Sequence, residues 1–309
     1  MHPFQIRSVE EFFLRVCIIV CASFFPLTLA ANSYFVRAEG NDSAAGTSPA
    51  IQECESFANK TRGMDGGGFD IDGGCEECVL QYNYNHDNDG PGLMVYTYPY
   101  ASYHDRDNIV RFNISENDSR RSRTYAGLWV RADGRPMTGL EVYNNTVPAG
   151  GWTDQAAYIC AAGIEARIRN NILIARDRGQ AICVVEPRAS LRCEGNLYWR
   201  SGDPFSLQWG GTNFNTLEAW RMQTSQESSQ GNIAGLFVDP RLSSHPPELN
   251  PFTQVGLAKL VAFHPRPDSP VINGGVDLSA TYQTTKEPRD LLGHPVPKNS
   301  RLVGAVLAP

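Results

Sequence analysis

The chain has 309 residues, with 27 Lys and Arg against 33 Asp and Glu, a net charge of −6 and a pI near 5.6. That acidic balance excludes a general binder of nucleic acid, which needs a basic face to meet phosphates. With 28 Gly and 20 Pro the composition favours turns and short strands over long helices, and the length fits a single large all-β unit.

Residues 1–31 have the pattern of a secretory signal. Arg7 and Arg15 precede the apolar run VCIIVCASFFPLTLA, and Thr28-Leu29-Ala30 offers small residues where a signal peptidase reads. The run is about 15 residues, short of the ~20 that span a bilayer. Export to the extracellular space or a periplasm is the expectation, with no transmembrane segment after signal removal. Cys54, Cys75, Cys78, Cys160, Cys183 and Cys193 then remain. Cys75-x-x-Cys78 lacks the second pair a zinc site needs, which leaves a local turn disulfide or free buried thiols.

Residues 32–50 form a short strand and a Gly/Ser/Asn loop, and residues 51–204 repeat. Aligning IQECESFANK, VLQYNYNHDND, NIVRFNISEND, LEVYNNTV, RIRNNILI and LRCEGNLY puts Cys54, Asn83, Asn113, Asn145, Asn171 and Asn196 at one position, spaced by 29, 30, 32, 26 and 25 residues. Such a period, with an inward Asn at a recurrent corner, predicts a parallel β-helix whose stacked asparagines hydrogen-bond along the axis. Helical repeats of similar length need a 3.6-residue periodicity that is absent. A second apolar run precedes each ladder Asn: GFDI, GLMVY, GLWVR, AAYIC and AICVV.

Beyond residue 204 the repeat stops. Leu217 and Trp220 after an Asn or Thr cap predict one short helix, and residues 205–309 are expected to cover the open end of the solenoid.

GGGFDIDGG, QYNYNHDNDGPG, VRFNISEND and LEVYNNTV, with the opening YFVRAEGNDSAAGTSPA and the closing FNTLEAWR, DPRL, SPVINGG and DLLGHP, resemble secreted right-handed parallel β-helix proteins of the pectate-lyase-like superfamily. The resemblance covers nearly all of the chain after the signal. It implies a right-handed parallel β-helix of about six coils with a C-terminal cap. It does not imply one reaction, because the superfamily holds lyases, hydrolases, epimerases and adhesins. Its members usually carry more coils before the Gly-rich phrase.

Counting from the ladder Asn places His86 beside Glu116, Asp87 beside Asn117, and Asn88 beside Asp118, in coils stacked about 4.8 Å apart. Asp70 and Asp72 alternate with Phe69 and Ile71 and so face outward. Glycoside hydrolysis would use two carboxyls among Asp72, Asp87, Asp89 and Glu116. Elimination from a uronate would use Ca²⁺ on Asp87 and Asp89, with His86, Arg106, Arg111 or Arg131 as base. Asn85-x-Asp87-x-Asp89-Gly90 matches only the first half of a calcium loop, since Tyr96 stands where the bidentate Glu belongs. The same acids also fit a purely structural role at tight corners.

Tyr96, Tyr98, Tyr100 and Tyr103 suit stacking on sugar faces, and Arg111, Arg131, Asp118 and the Arg120, Arg121, Arg123 run suit contact with polar sugar groups. The expectation is a monomeric, exported polysaccharide hydrolase or lyase, or alternatively a non-catalytic polysaccharide-binding or adhesion protein.

Overall fold

The computed structural model describes residues 35–36, 50–60, 66–101, 103–121, 124–150, 154–160, 162–176, 179–188, 190–201, 204–243, 260, 262–282 and 288–307. The expected signal segment, most of the opening loop and Arg123 lie outside the described residues.

Three long sheets, parallel except at their ends, wind the chain into an all-β solenoid of about five turns. The first sheet contains Cys54–Phe57, Tyr84–His86, Ile114–Glu116, Thr146–Pro148, Ile172–Ala175 and Leu197–Arg200. The second contains Ala50–Gln52, Val79–Gln81, Ile109–Arg111, Met137–Tyr143, Ile164–Arg169 and Leu191–Glu194. The third contains Phe69–Asp72, Leu93–Thr97, Leu128–Ala132, Ala157–Cys160, Ile182–Val185 and Leu207–Trp209. The last two sets are the apolar runs seen before each ladder Asn and the strands that lead into it.

The corner between second and first sheets explains the repeat. Glu53, Tyr82, Phe112, Asn144, Asn170 and Gly195 all have φ between 49° and 72°, a left-handed bend that turns one strand sharply into the next. The following residue is the ladder position. Each rung's side-chain Oδ1 accepts from the backbone N–H of the rung before it at 2.9 to 3.0 Å, as in Asn83 to Asn113 and Asn145 to Asn171. Each Nδ2 donates to a carbonyl of the preceding coil, Asn145 to Val110 at 2.9 Å for example. Cys54 joins through its backbone only, donating to Asn83 Oδ1 at 3.1 Å. At the far end Asn196 Nδ2 donates to Glu227 Oε1 at 2.8 Å. Glu227 thus terminates the ladder with a carboxylate, a role not visible in the repeat.

Inside the solenoid, Leu80, Val110, Val142, Ile168 and Cys193 stack beneath the second sheet, and Val95, Val130, Ile159 and Val184 beneath the third. Full burial of each aliphatic side chain contributes about 1.5–3 kcal/mol. Helix α1 (Leu217–Thr224) closes the C-terminal end. Thr216 caps it by accepting from Ala219 N–H at 3.1 Å, and Leu217 and Trp220 turn into the core.

The described residues between 260 and 307 do not sit over that end. They run along the outer face of the first sheet, where Leu260, Phe263, Tyr282, Leu291 and Val306 pack on Tyr84, Phe112, Ile114 and Tyr143. Corner asparagines pin them: Asn144 Nδ2 donates to the Leu302 carbonyl at 2.9 Å, and Asn170 Oδ1 accepts from Val276 N–H at 2.9 Å. Tyr84, Ile114, Ile172 and Leu197 turn outward here, so a flank rather than an end needed covering.

Cys54, Cys78, Cys160, Cys183 and Cys193 are free thiols, so Cys78 forms no local turn disulfide with Cys75. No described helix is long and apolar enough to cross a membrane. Asn59, Asn113 and Asn144, each the first residue of an Asn-x-Ser/Thr sequence, are buried in hydrogen-bond networks.

Candidate functional site

The structure divides the expected site residues among three faces. On the outer face of the first sheet, Tyr84 and His86 alternate with inward Asn85. His86 is 1% exposed, with Nδ1 2.9 Å from Asp87 Oδ2 and Nε2 3.3 Å from Glu55 Oε1. Its ring lies between Phe57 and Tyr84, at centroid distances of 5.0 and 4.6 Å. Burial by itself would lower the imidazole pKa, but the hydrogen bonds with Asp87 and Glu55 outweigh it and raise the value to about 9. Asp87 also accepts from Asn117 and pairs with Arg120 at 3.4 Å. Glu116 accepts from the Tyr84 hydroxyl at 2.6 Å, and burial pushes its pKa up. Asp87 and Glu116 are only 7% and 6% exposed. These groups are adjacent, as their spacing predicts, yet they satisfy one another and are not placed to meet a polymer as catalysts.

Asp118 corrects the expectation more sharply. Asn59, Asn88 and Asp118 form a second interior ladder at the next corner, each following a left-handed residue: Ala58, Asp87 and Asn117. Asn88 Oδ1 accepts from Asn59 N–H at 3.0 Å, and Asp118 Oδ1 accepts from Asn88 N–H at 2.9 Å. Ser115 donates to Asp118 Oδ2 at 2.7 Å. Burial raises this carboxyl to about 7. A Cβ at Gly92 would collide with the Asp118 carboxylate and the Ser115 hydroxyl, which gives that glycine its reason. Asp118 is therefore a rung, not a sugar ligand.

Arg111 lies on the second sheet, 3% exposed, donating to Gln81 Oε1 at 2.6 and 2.8 Å and to the Tyr143 hydroxyl at 2.8 Å. It ties three coils together and is not available as a base or sugar ligand. Asp89 is half-buried and outside the His86 network. The half calcium loop does not form a cation shell: Asn85 points inside while Asp87 points outside into its network. Among the described residues no group of three or more His, Cys, Asp or Glu side chains is placed to hold a metal ion.

Asp72, Tyr96, Tyr98 and Arg131 gather on the outer face of the third sheet, with Tyr100 and Tyr103 in the loop that follows, whereas Arg106 pairs with Glu76 beside the second sheet. Cross-strand register places Asp72 beside Tyr96 and Tyr96 beside Arg131. Tyr96 donates to Asp133 at 3.1 Å, and the Arg131 guanidinium grips the same carboxylate at 2.6 Å. Burial, then the Asp133 hydrogen bond, raises the Tyr96 phenol to about 12. Five rings run in unbroken contact here. Centroid distances are 5.5 Å for Tyr100 to Tyr98, 6.4 Å for Tyr98 to Tyr96, 5.4 Å for Tyr96 to Trp129 and 5.3 Å for Trp129 to Tyr125. Tyr100 is 84% exposed and Tyr103, in the same loop, 67%. Gly73, at φ 67°, leaves room for the Tyr98 ring, which a Cβ would strike.

Trp129, Tyr125 and Asp133 were missed from sequence because they lie one coil away from the tyrosine loop. The register between GLMVY and GLWVR was the available signal: it sets Trp129 beside Met94 and Arg131 beside Tyr96.

A scan of protein-family models finds no match to this chain, and no curated protein is similar to it. The geometry of a parallel β-solenoid with an outward aromatic strip is what characterises the protein.

Proposed function

We propose that this protein is exported and binds an extended polysaccharide along the outer face of the third sheet. The observation that carries this reading is the strip of five contacting rings from Tyr100 to Tyr125, flanked by the polar groups of Asp72, Arg131 and Asp133. Aromatic faces offer apolar area to the C–H faces of sugar rings, and carboxylate and guanidinium groups orient hydroxyls. The resemblance of the Gly-rich and Asn-rich phrases to secreted pectate-lyase-like β-helix proteins supports it, as does the signal-like segment 1–31. The protein works as a monomer, since one face of one solenoid carries the whole strip.

A second reading, cleavage, rests on Asp72 and Asp133, which stand on either side of Tyr96 as a pair of carboxyls. Hydrolysis needs two such groups about 5–9.5 Å apart across a glycosidic bond.

Titration of the full chain with a panel of soluble glycans tests both. Tyr100→Ala with Tyr103→Ala removes two exposed rings without touching the core and is expected to weaken binding about tenfold, equivalent to ~1.4 kcal/mol. No glycan binding, or no effect of that double variant, would remove the reading. New reducing ends that disappear in Asp72→Asn and Asp133→Asn would establish cleavage at the same face.

A further inference from the structure

A separate groove of about 430 Å³ opens at the C-terminal end of the solenoid, lined by Arg188, Arg192, Trp209 and Gln223 together with Ser225 and Gln226. It lies between the last coils and the end of α1. Trp209 is three strands along the third sheet from Trp129, roughly 14 Å at strand spacing, so the groove is not part of the aromatic strip.

Three features are not explained by folding. Arg192 directly opposes Arg167 on the neighbouring strand, and like charges in that position repel. Arg167 is drawn to Glu141 at 3.4 Å, whereas Arg192 has no ion-pair partner among the described residues. Arg188 has only a long contact of 3.8 Å with Glu186. No acidic side chain is among the described residues lining the groove. Trp209 supplies a flat half-buried surface, held from behind by Trp220 at 5.5 Å between centroids. Gln226 is fully committed, accepting from Cys193 N–H at 2.7 Å and donating to the Leu191 carbonyl, so it forms a fixed wall. Gln223 has an amide free to adjust.

We infer that this groove binds a carboxylate carried on a six-membered ring, with the guanidinium groups of Arg188 and Arg192 taking the carboxylate and Trp209 taking the ring face. A planar fork suits a carboxylate in a way an ammonium does not, and the indole suits either an aromatic or a pyranose ring. Binding an anion also relieves the Arg167–Arg192 repulsion. The site stands independently of the sugar strip.

Calorimetric titration of the full chain with benzoate, D-glucuronate, acetate, benzamide and glucose tests it. Benzoate or glucuronate, the two arms separating aromatic from sugar rings, should bind at least tenfold more tightly than acetate and than its own neutral analogue, and binding should weaken with added salt. Arg192→Gln and Arg188→Gln alter exposed charges and leave the core intact, and each should weaken binding at least fivefold. Tyr100→Ala should not change it, which separates this groove from the strip. Equal binding of acetate and the ring carboxylates, equal binding of benzamide and benzoate, or full retention in the double arginine variant would overturn the assignment.

Discussion

The first three coils and the later ones solve the same packing problem with different chemistry. At the central inward position of the first sheet the early coils place Ser56, Asn85 and Ser115, and the later coils place Val147, Leu173 and Tyr198. The early coils also carry the second ladder, Asn59 to Asp118, and a third corner where Asn108 Oδ1 accepts from Cys78 N–H at 2.9 Å. The later coils keep only the first ladder and end it on Glu227. A polar interior is directional and titratable, whereas an aliphatic interior is stabilised by area alone. The two halves should therefore respond differently to substitution and to pH.

The largest effect is expected at Asn145, the rung that joins the halves. Asn145→Ala strands the Asn113 N–H and takes the side-chain donor from the Val110 carbonyl, each costing about 1–3 kcal/mol when buried without a partner, while Asn171 Oδ1 keeps the Asn145 backbone N–H. A loss of at least ~3 kcal/mol in urea unfolding is expected, and a loss below ~1 would mean the ladder does not couple the coils. Asn85 offers the opposite sign. It is fully buried, and neither amide atom has a hydrogen-bond partner among the described residues. Asn85→Val makes this coil resemble the later ones at Val147 and should stabilise the fold by about 1–2 kcal/mol, read from the same unfolding curve. Destabilisation would show that the early interior needs its polarity.

Acidity should separate the halves next. Asp118 and Glu227 are both raised by burial to about 7, so between the ordinary carboxylate range and that value the folded chain holds protons the unfolded chain has released. Stability therefore falls as pH rises from about 4 to 7. His86, raised to about 9 despite burial, extends the fall: its contribution is complete below pH 6.5 and is lost as pH rises through 9. The melting temperature should be on the order of 5 °C higher at pH 5 than at pH 9. Asp118→Asn keeps the Oδ1 acceptor for Asn88 and should flatten the early-coil part of this slope. A pH-independent melting temperature would contradict the burial of all three groups. The smallest effect is at the closing end, where Thr216→Ala removes the α1 cap for about 1 kcal/mol.

Much of the fold was legible because its cause is local. Spacings of 29, 30, 32, 26 and 25 residues are also the offsets of the second-sheet register, Gln52 to Gln81 through to Arg169 to Glu194. The site was less legible. His86, Asp87 and Glu116 do come together, but Asp87 and Asp118, four and five residues past their ladder asparagines, face out and in respectively, and the spacing does not say which. Only the handling of each corner by its left-handed residue separates the two. The free thiol of Cys78 could not be decided from spacing either, since Cys75-x-x-Cys78 suits a turn disulfide as well as it suits a buried thiol.

What the sequence determined by itself is the solenoid and its main ladder, because a side chain that must hydrogen-bond its copy in the next coil has to recur at the length of a coil. The tertiary structure decided the rest. The second ladder and the union of Tyr96 with Trp129 keep the coil period, and the folded corners set which way those side chains face. The described residues between 260 and 307 lie along the flank through contacts with no shared period. Such contacts are selected by which apolar faces remain uncovered once the coils have stacked.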